Sequence, residues 1–229
     1  ESIALGRRYG ITVLPGVEIS ACDDETGKKV HILGYGFKSA EAINALCRPV
    51  AEARHENSLQ KIKVLQKLGY KITEADVLPY AHKYIFKKHI VRYLFESGQE
   101  DKIFGHVYHK IFHGGGPGDF GIKYVNAADA VKVITESGGK AVLAHPGQQN
   151  NFEILPELKK AGLWGIELKH PVHNACWQKI VLQAAADYGL FCTGGSDCHG
   201  IYSEKYHAVG SNLCPAAAAE ELLKQNKNS

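Results

Sequence analysis

The sequence predicts an α/β protein built on a parallel sheet with right-handed crossovers, either an open doubly wound sheet or a barrel. Three observations carry this. From about residue 126 onward, apolar runs of four or five residues alternate with amphipathic helical stretches. A polar, histidine-bearing cluster follows each of these runs directly, at His145-Pro146, at His170-Pro171 and at Gly194-Gly195-Ser196-Asp197-Cys198-His199, and the ends of parallel strands are where α/β proteins place their sites. The 229 residues, 45% hydrophobic and 22% charged, suffice for one large or two small domains.

The elements follow in order. Glu1 to Tyr9 reads as a short helix and Ile11 to Leu14 as an apolar strand leading into Pro15-Gly16-Val17-Glu18-Ile19-Ser20. Lys29 to Phe37 is a second strand after the polar turn Asp23 to Gly27. From Ser39 to Glu96 the pattern is helical. Leu59, Ile62, Leu65 and Leu68 recur at helical spacing up to a stop at Gly69, and Thr73 before Glu74 and Asp76 reads as an N-cap with an acidic first turn. Lys87 to Ser97 gives another helix ended by Gly98, and the linker His113-Gly114-Gly115-Gly116-Pro117-Gly118 marks a boundary. The alternating part then runs through helix Ala127 to Ser137, strand Ala141 to Ala144, helix Phe152 to Ala161, strand Gly165 to Leu168, helix Asn174 to Tyr188 and strand Phe191 to Thr193. A last helix starts at the Ala216 to Ala219 run.

Composition excludes disordered, collagen-like and coiled-coil chains. A formal net charge of +3 supplies no bulk drive toward nucleic acid. No stretch approaches the roughly 18 apolar residues of a membrane helix, and no basic region followed by an apolar run opens the chain, so a cytoplasmic protein without membrane contact is expected. Six cysteines lie scattered without any C-x-x-C pair, which predicts reduced, mostly buried thiols. Methionine is absent; either Glu1 is not the biological start or methionines are missing from the sequence.

Glu18, His31, His145, Asp197 and His199 each lie at or just past the end of a predicted strand. Imidazole nitrogens and carboxylate oxygens of this kind are ligands for zinc, manganese or iron. Asp197 and His199 are two apart, so in an extended segment both side chains leave one face and reach one ion. A lone His-Pro after a strand is ordinarily a hydrogen-bonded loop, but five such residues on successive strand ends point to metal. Gly114-Gly115-Gly116 lacks the Gly-Lys-Ser/Thr of a nucleotide loop, and Ser196 reads as a turn residue rather than a nucleophile. Tyrosines and phenylalanines interspersed with lysines between Tyr80 and Tyr108 would suit a base or a short single strand, but in a helical segment they read as a small core with a charged exterior.

Taken in order, Leu14-Pro15-Gly16-Val17-Glu18-Ile19-Ser20, Val30-His31-Ile32-Leu33-Gly34-Tyr35, Ala141-Val142-Leu143-Ala144-His145-Pro146-Gly147, Gly165-Ile166-Glu167-Leu168-Lys169-His170-Pro171-Val172-His173 and Thr193-Gly194-Gly195-Ser196-Asp197-Cys198-His199-Gly200 resemble the PHP (polymerase and histidinol phosphatase) family. The resemblance implies a distorted seven-stranded, TIM-like β/α barrel, made here by residues 1–45 and 126–229 and lacking its first strands. A helical insert over residues 46–125 would cover the active site. It further implies a cluster of two or three divalent metal ions (Mn, Fe or Zn), with Glu18 as bridging carboxylate, His31 and His145 as ligands in the same half, and Asp197 and His199 as the closing pair. The family's opening His-x-His strand and Thr-Asp-His strand end have no counterpart here; both would lie ahead of Glu1, and truncation is the expectation.

The implied reaction is metal-dependent phosphate ester hydrolysis on a small phosphorylated nucleoside or short oligonucleotide, with no stable protein partner. His170 and His173 are candidates to protonate the leaving group, and Arg54 and His89 to hold phosphate. A histidinol-phosphatase-like monoesterase and a non-catalytic module with an interaction role are the competing readings. His55, His82, His106, His109 and His113 lack strand-end placement and read as surface residues.

Overall fold

The computed structural model, which describes residues 1–227, begins with helix α1 (Ser2–Tyr9), closed by Gly10 in the left-handed conformation (φ 68°) that a side chain would strain. The strand expected at Ile11 to Leu14 does not form. Pairing starts only at Gly16, and Ile11 stays 64% exposed. Pro15, without an N–H, contributes only its carbonyl, which accepts from the Gly36 N–H at 3.0 Å. Strand β1 (Gly16–Cys22) therefore carries Glu18 inside a ladder rather than past its end.

β1 pairs antiparallel with β2 (Lys29–Tyr35) from Gly16↔Tyr35 to Cys22↔Lys29. The turn between them is fixed by Asp23, whose carboxylate accepts from the Glu25 N–H (2.9 Å) and the Thr26 hydroxyl (2.6 Å). So short a connection can only reverse the chain, because a parallel neighbour requires a crossover of a dozen or more residues. Helices α2 (Glu41–Lys67), α3 (Glu74–Val77) and α4 (Lys87–Glu96) follow. Next come β3 (Val125–Asn126), α5 (Ala127–Glu136), β4 (Lys140–Leu143), α6 (Pro146–Gln149), α7 (Leu155–Lys160), β5 (Gly165–Lys169), α8 (Ala175–Tyr188), β6 (Phe191–Gly194) and α9 (Ala216–Lys227).

The six strands are ordered β3-β1-β2-β4-β5-β6. β4, β5 and β6 are parallel, as are β1 and β3, but β2 opposes both neighbours, so the sheet is mixed rather than all parallel. Among the described residues it is an open six-stranded sheet, not a closed seven-stranded barrel, since β3 and β6 do not pair with each other.

The chain divides into two units: Glu1–Cys47, Tyr124–Cys198 and His207 onward in the first, Arg48–Lys123 and His199–Tyr206 in the second. In the first, period-two alternation sorts the two faces of the sheet. Ile19, Ala21, Val30, Ile32, Leu143 and Ile166 turn to the helices, where they form one core with Val131 and Ile134 of α5, Leu158 of α7 and Val181 of α8. Glu18, Ser20, His31 and Leu33 take the other face, and pairing places Val142, Glu167 and Thr193 beside them. All polar chemistry of the strands is thereby collected on one side.

The second unit has its own core, built from Ile62 and Leu65 of α2, Val77 of α3, Ile90, Val91 and Leu94 of α4, and Val107, Ile111 and Phe112. Thr73 caps α3 in a reciprocal capping box with Asp76, as its sequence predicts. Lys61 is buried over the rings of Phe112 (5.5 Å) and Phe120 (4.8 Å), and its burial lowers its pKa.

At the start of α4, His89 Nδ1 accepts the Phe86 N–H at 3.0 Å. Burial, with Lys88 and Arg92 nearby, brings the His89 pKa from 6.5 down to about 4. Between those values the unfolded chain binds the proton more readily, so His89 contributes stability at neutral pH that is lost as pH falls from about 6.5 through about 4. His89→Asn, which keeps an acceptor without a titrating ring, is expected to flatten that part of the pH dependence. Thermal melts of both proteins between pH 7 and 4.5 measure this, and equal slopes would refute it.

Among the described residues no disulfide is present. Cys176 and Cys198 are exposed and the other four half-buried, so the expectation of mostly buried thiols does not hold. No helix among the described residues is long and apolar enough to cross a membrane.

Candidate active site

Glu18 and His31 lie on the same face of the β1–β2 hairpin. Ser20 is paired with His31, and Glu18 sits two residues along, which sets Glu18 and His31 diagonally across the ladder. Glu18 Oε1 and His31 Nδ1 are 2.7 Å apart. His145 completes the group from the next strand, its Nε2 lying 3.3 Å from Glu18 Oε1 and 3.3 Å from His31 Nδ1. The sheet alone would not deliver it there. Ala144 is tied to β2 through its N–H to the His31 carbonyl (3.0 Å), so a further extended residue would turn its side chain to the helix-covered face. Instead His145 adopts φ 26° and ψ 55°, outside the strand region, and its ring comes back to Glu18 and His31.

Three ligand atoms thus form a triangle with sides of 2.7, 3.3 and 3.3 Å. Around a cation with bonds of about 2.1 Å in tetrahedral arrangement, ligand atoms stand about 3.4 Å apart, so two of the three sides already match coordination. The remaining ring nitrogen of His145, Nδ1, is buried without a hydrogen-bond partner, so no protein acceptor competes to orient the ring. The donor set of one carboxylate and two imidazoles suits zinc, manganese or iron. Electrostatics agree: hydrogen bonds from His145 and His31 hold the Glu18 carboxyl far below the ordinary carboxylate range, against the cost of its burial. For His145 burial is the largest influence and opposes protonation, but Glu18, Glu167 and Asp197 together outweigh it and raise the pKa.

Behind this group stands Glu167 of β5, only 4% exposed, whose Oε2 accepts the His145 backbone N–H at 2.8 Å. A non-glycine residue at positive φ costs about 1–3 kcal/mol, and a hydrogen bond to a carboxylate returns about 1.5–3 kcal/mol. The two are of one size, so this bond can sustain the His145 conformation. Burial raises the Glu167 pKa, while His170 and His145 oppose the shift.

His170 lies just past β5, and its Nδ1 accepts the Val172 N–H at 3.3 Å. The neutral ring therefore carries its proton on Nε2. That atom is buried, lies 3.4 Å from Asp197 Oδ2, and makes no hydrogen bond of good geometry. Asp197, after β6, also has a positive φ of 48°. His173 differs: Nδ1 faces the Leu168 carbonyl at 3.0 Å and Nε2 accepts the Gly147 N–H at 3.1 Å, so both ring nitrogens are committed to backbone. Burial lowers its pKa, in keeping with a neutral ring that ties β5 to α6, which starts directly after His145.

Of the residues singled out from sequence, Glu18, His31 and His145 are brought together within 4.8 Å, and Asp197 and His170 form a second pair in the same unit. His199 belongs to the second unit, where it precedes the short turn Gly200–Tyr202 and donates its backbone N–H to Ser203 Oγ at 3.2 Å. Arg54 and His89 also lie in the second unit, the first half-buried on α2 and the second capping α4. Sequence reasoning passed over Glu167. The available signal was an acid inside the apolar run of a buried parallel strand, which is costly without a partner. A cavity of about 330 Å³, lined by Tyr35, Thr193, Gly194 and Cys214 among others, opens beside these strands.

No family model matches the chain. It is 42% identical over 206 residues to a phosphoribosyl 1,2-cyclic phosphate 1,2-diphosphodiesterase of Eggerthella lenta, covering 89% of this chain and 79% of that protein. It is 31% identical over 208 residues to a 3',5'-nucleoside bisphosphate phosphatase of Chromobacterium violaceum, covering 87% of this chain and 72% of that one. A crystal structure of a Bifidobacterium adolescentis protein assigned as a metal-dependent phosphoesterase superposes with a TM-score of 0.85 at 23% identity, over 98% of this chain and 80% of that one, and shows the same fold. With Glu18, His31 and His145 gathered on the sheet face and relatives of this identity and coverage, the chain belongs to the PHP family of metal-dependent phosphoesterases.

Proposed function

We propose that this phosphoesterase acts on a small phosphorylated ribose or nucleoside, either cleaving a cyclic phosphate or removing a terminal phosphate, with divalent metal held by Glu18, His31 and His145 and by Asp197 nearby. The triangle of Glu18, His31 and His145 is the observation that carries this reading. The ribose cyclic phosphate named for the relative at 42% identity favours the first substrate class, and the nucleoside bisphosphate named for the relative at 31% favours the second.

Bound metal would supply an activated water and charge neutralisation for the phosphoryl oxygens. The chain's own residues do the rest. Glu18, held ionised by its two histidines, presents a permanent negative charge, while His31 and His145 present ring nitrogens once deprotonated. His170, whose Nδ1 is occupied by the Val172 N–H, offers its Nε2 proton to the leaving oxygen of the sugar, and the Asp197 carboxylate lies 3.4 Å from that atom.

The test, made on the full-length protein with its natural N-terminus, is metal analysis by inductively coupled plasma mass spectrometry, joined to phosphate release from a nucleoside 3',5'-bisphosphate and opening of a ribose cyclic phosphate. A short oligonucleotide serves as the third substrate. Two or three Mn, Fe or Zn ions per chain are expected, with activity falling at least about 100-fold on chelation and returning with Mn²⁺. A chain that stays metal-free and inactive after incubation with all three metals would support the non-catalytic module instead.

A further inference from the structure

We propose that Glu167 is a positioning residue for the metal centre: its buried carboxylate captures the His145 backbone N–H and so fixes the left-handed turn that aims the His145 ring at Glu18 and His31. This rests on the metal reading above, and it assigns a role to a residue outside the Glu18, His31 and His145 group.

The geometry leaves the carboxylate little else to do. Glu167 lies in the middle of β5 on the polar face, between Ile166 and Leu168, which both belong to the helix-covered core. It is 4% exposed, and its Oε2 is 2.8 Å from the His145 nitrogen. The β4–β5 pairing Leu143↔Ile166 places Glu167 directly across from the point where β4 ends, so the carboxylate meets the first backbone N–H beyond the ladder. On the other side the chain makes room for it. A side chain on Gly195 would bring a Cβ within 3.2 Å of Glu167 Oε1, and Gly195 has none. His145 in turn needs an outside constraint, because a residue following an extended strand has no local reason to adopt φ 26° and because its Nδ1 has no hydrogen bond to hold the ring. A conventional metal-ligating histidine is oriented through its second ring nitrogen. Here the orientation is imposed through the main chain.

Two variants separate this role from a mere requirement for charge or folding. Glu167→Gln keeps a carbonyl acceptor for the His145 N–H, and Glu167→Ala removes it. The first readout needs no metal. In the chelator-treated protein, hydrogen exchange at the His145 amide is expected to be slow in the wild type and in Glu167→Gln, and at least about tenfold faster in Glu167→Ala. The second is Mn²⁺ affinity by calorimetry, expected to weaken about 10- to 100-fold in Glu167→Ala and by less than about threefold in Glu167→Gln, with the melting temperature of the metal-free proteins measured alongside.

Wild-type exchange and affinity in Glu167→Ala would overturn the proposal. So would equal Mn²⁺ losses in both variants, which would assign Glu167 a charge role rather than a hydrogen-bonding one. If the wild type binds no Mn²⁺ at all, the metal reading fails; exchange at the His145 amide then decides by itself whether Glu167 fixes His145.

Discussion

Glu18→Gln is expected to lower phosphate release by about three orders of magnitude, equivalent to ~4 kcal/mol of transition-state stabilisation, and to remove at least one metal ion per chain. The substitution keeps the shape of the side chain and changes its charge. Glu18 Oε1 faces both His31 Nδ1 and His145 Nε2, so it is the vertex through which both imidazoles are joined. With a neutral amide there, the triangle loses its anionic ligand, and two nitrogens with only Asp197 from outside the triangle hold a hard or borderline cation poorly. The fold should tolerate the change. The Glu18 side chain is 36% exposed, and a histidine that loses its counter-charge can shed its proton instead of remaining as a buried unpaired charge. The melting temperature of the metal-free variant is therefore expected within a few degrees of wild type. Full metal content together with more than about a tenth of wild-type activity would show that Glu18 is not the centre of the site.

How much of this was legible beforehand depends on what each residue uses to reach its place. The period-two pattern Val17-Glu18-Ile19-Ser20-Ala21 states which side chains share a face, and the pattern Val30-His31-Ile32 does so again, so Glu18 and His31 were readable together once the two strands pair. His145 was readable as a polar residue closing an apolar run. Its conformation was not, because a left-handed histidine is stabilised by a carboxylate 22 residues further on, through a parallel register that no local pattern encodes. Glu167 was readable as an acid inside an apolar run, but its partner was not, because that partner is a backbone N–H, which has no side-chain signature. The strand expected at Ile11 to Leu14 shows the opposite failure. Apolar residues supplied strand propensity, but pairing begins only beyond Pro15. The reversed direction of β2 was within reach, since the six residues from Asp23 to Lys28 are too few for a crossover. His173 was grouped with His170 on residue type alone, and only the hydrogen bonds to Leu168 and Gly147 distinguish a ring bound to backbone at both ends.

That distinction carries the second large effect. His170→Gln is expected to lower kcat by about 10²- to 10³-fold on a nucleoside 3',5'-bisphosphate, but by less than about fivefold on p-nitrophenyl phosphate. An acid is needed when the departing oxygen is a poorly stabilised sugar alkoxide, and hardly at all when it is a phenolate that already bears its charge well. His170 meets the structural requirement for such an acid. Its Nδ1 is taken by the Val172 N–H, so the transferable proton sits on Nε2, the atom nearest Asp197, and no hydrogen bond of good geometry holds that proton elsewhere. Glutamine at this position retains a donor and nearly the same volume in a site only 3% exposed, which limits the change to proton transfer. His173→Gln provides the contrast. With both nitrogens bound to backbone, its loss should act through α6, directly after His145, lowering activity on both substrates alike and lowering Mn²⁺ affinity with it. Equal losses on both substrates in His170→Gln would place His170 with His173, as a ring that shapes the site without giving up its proton.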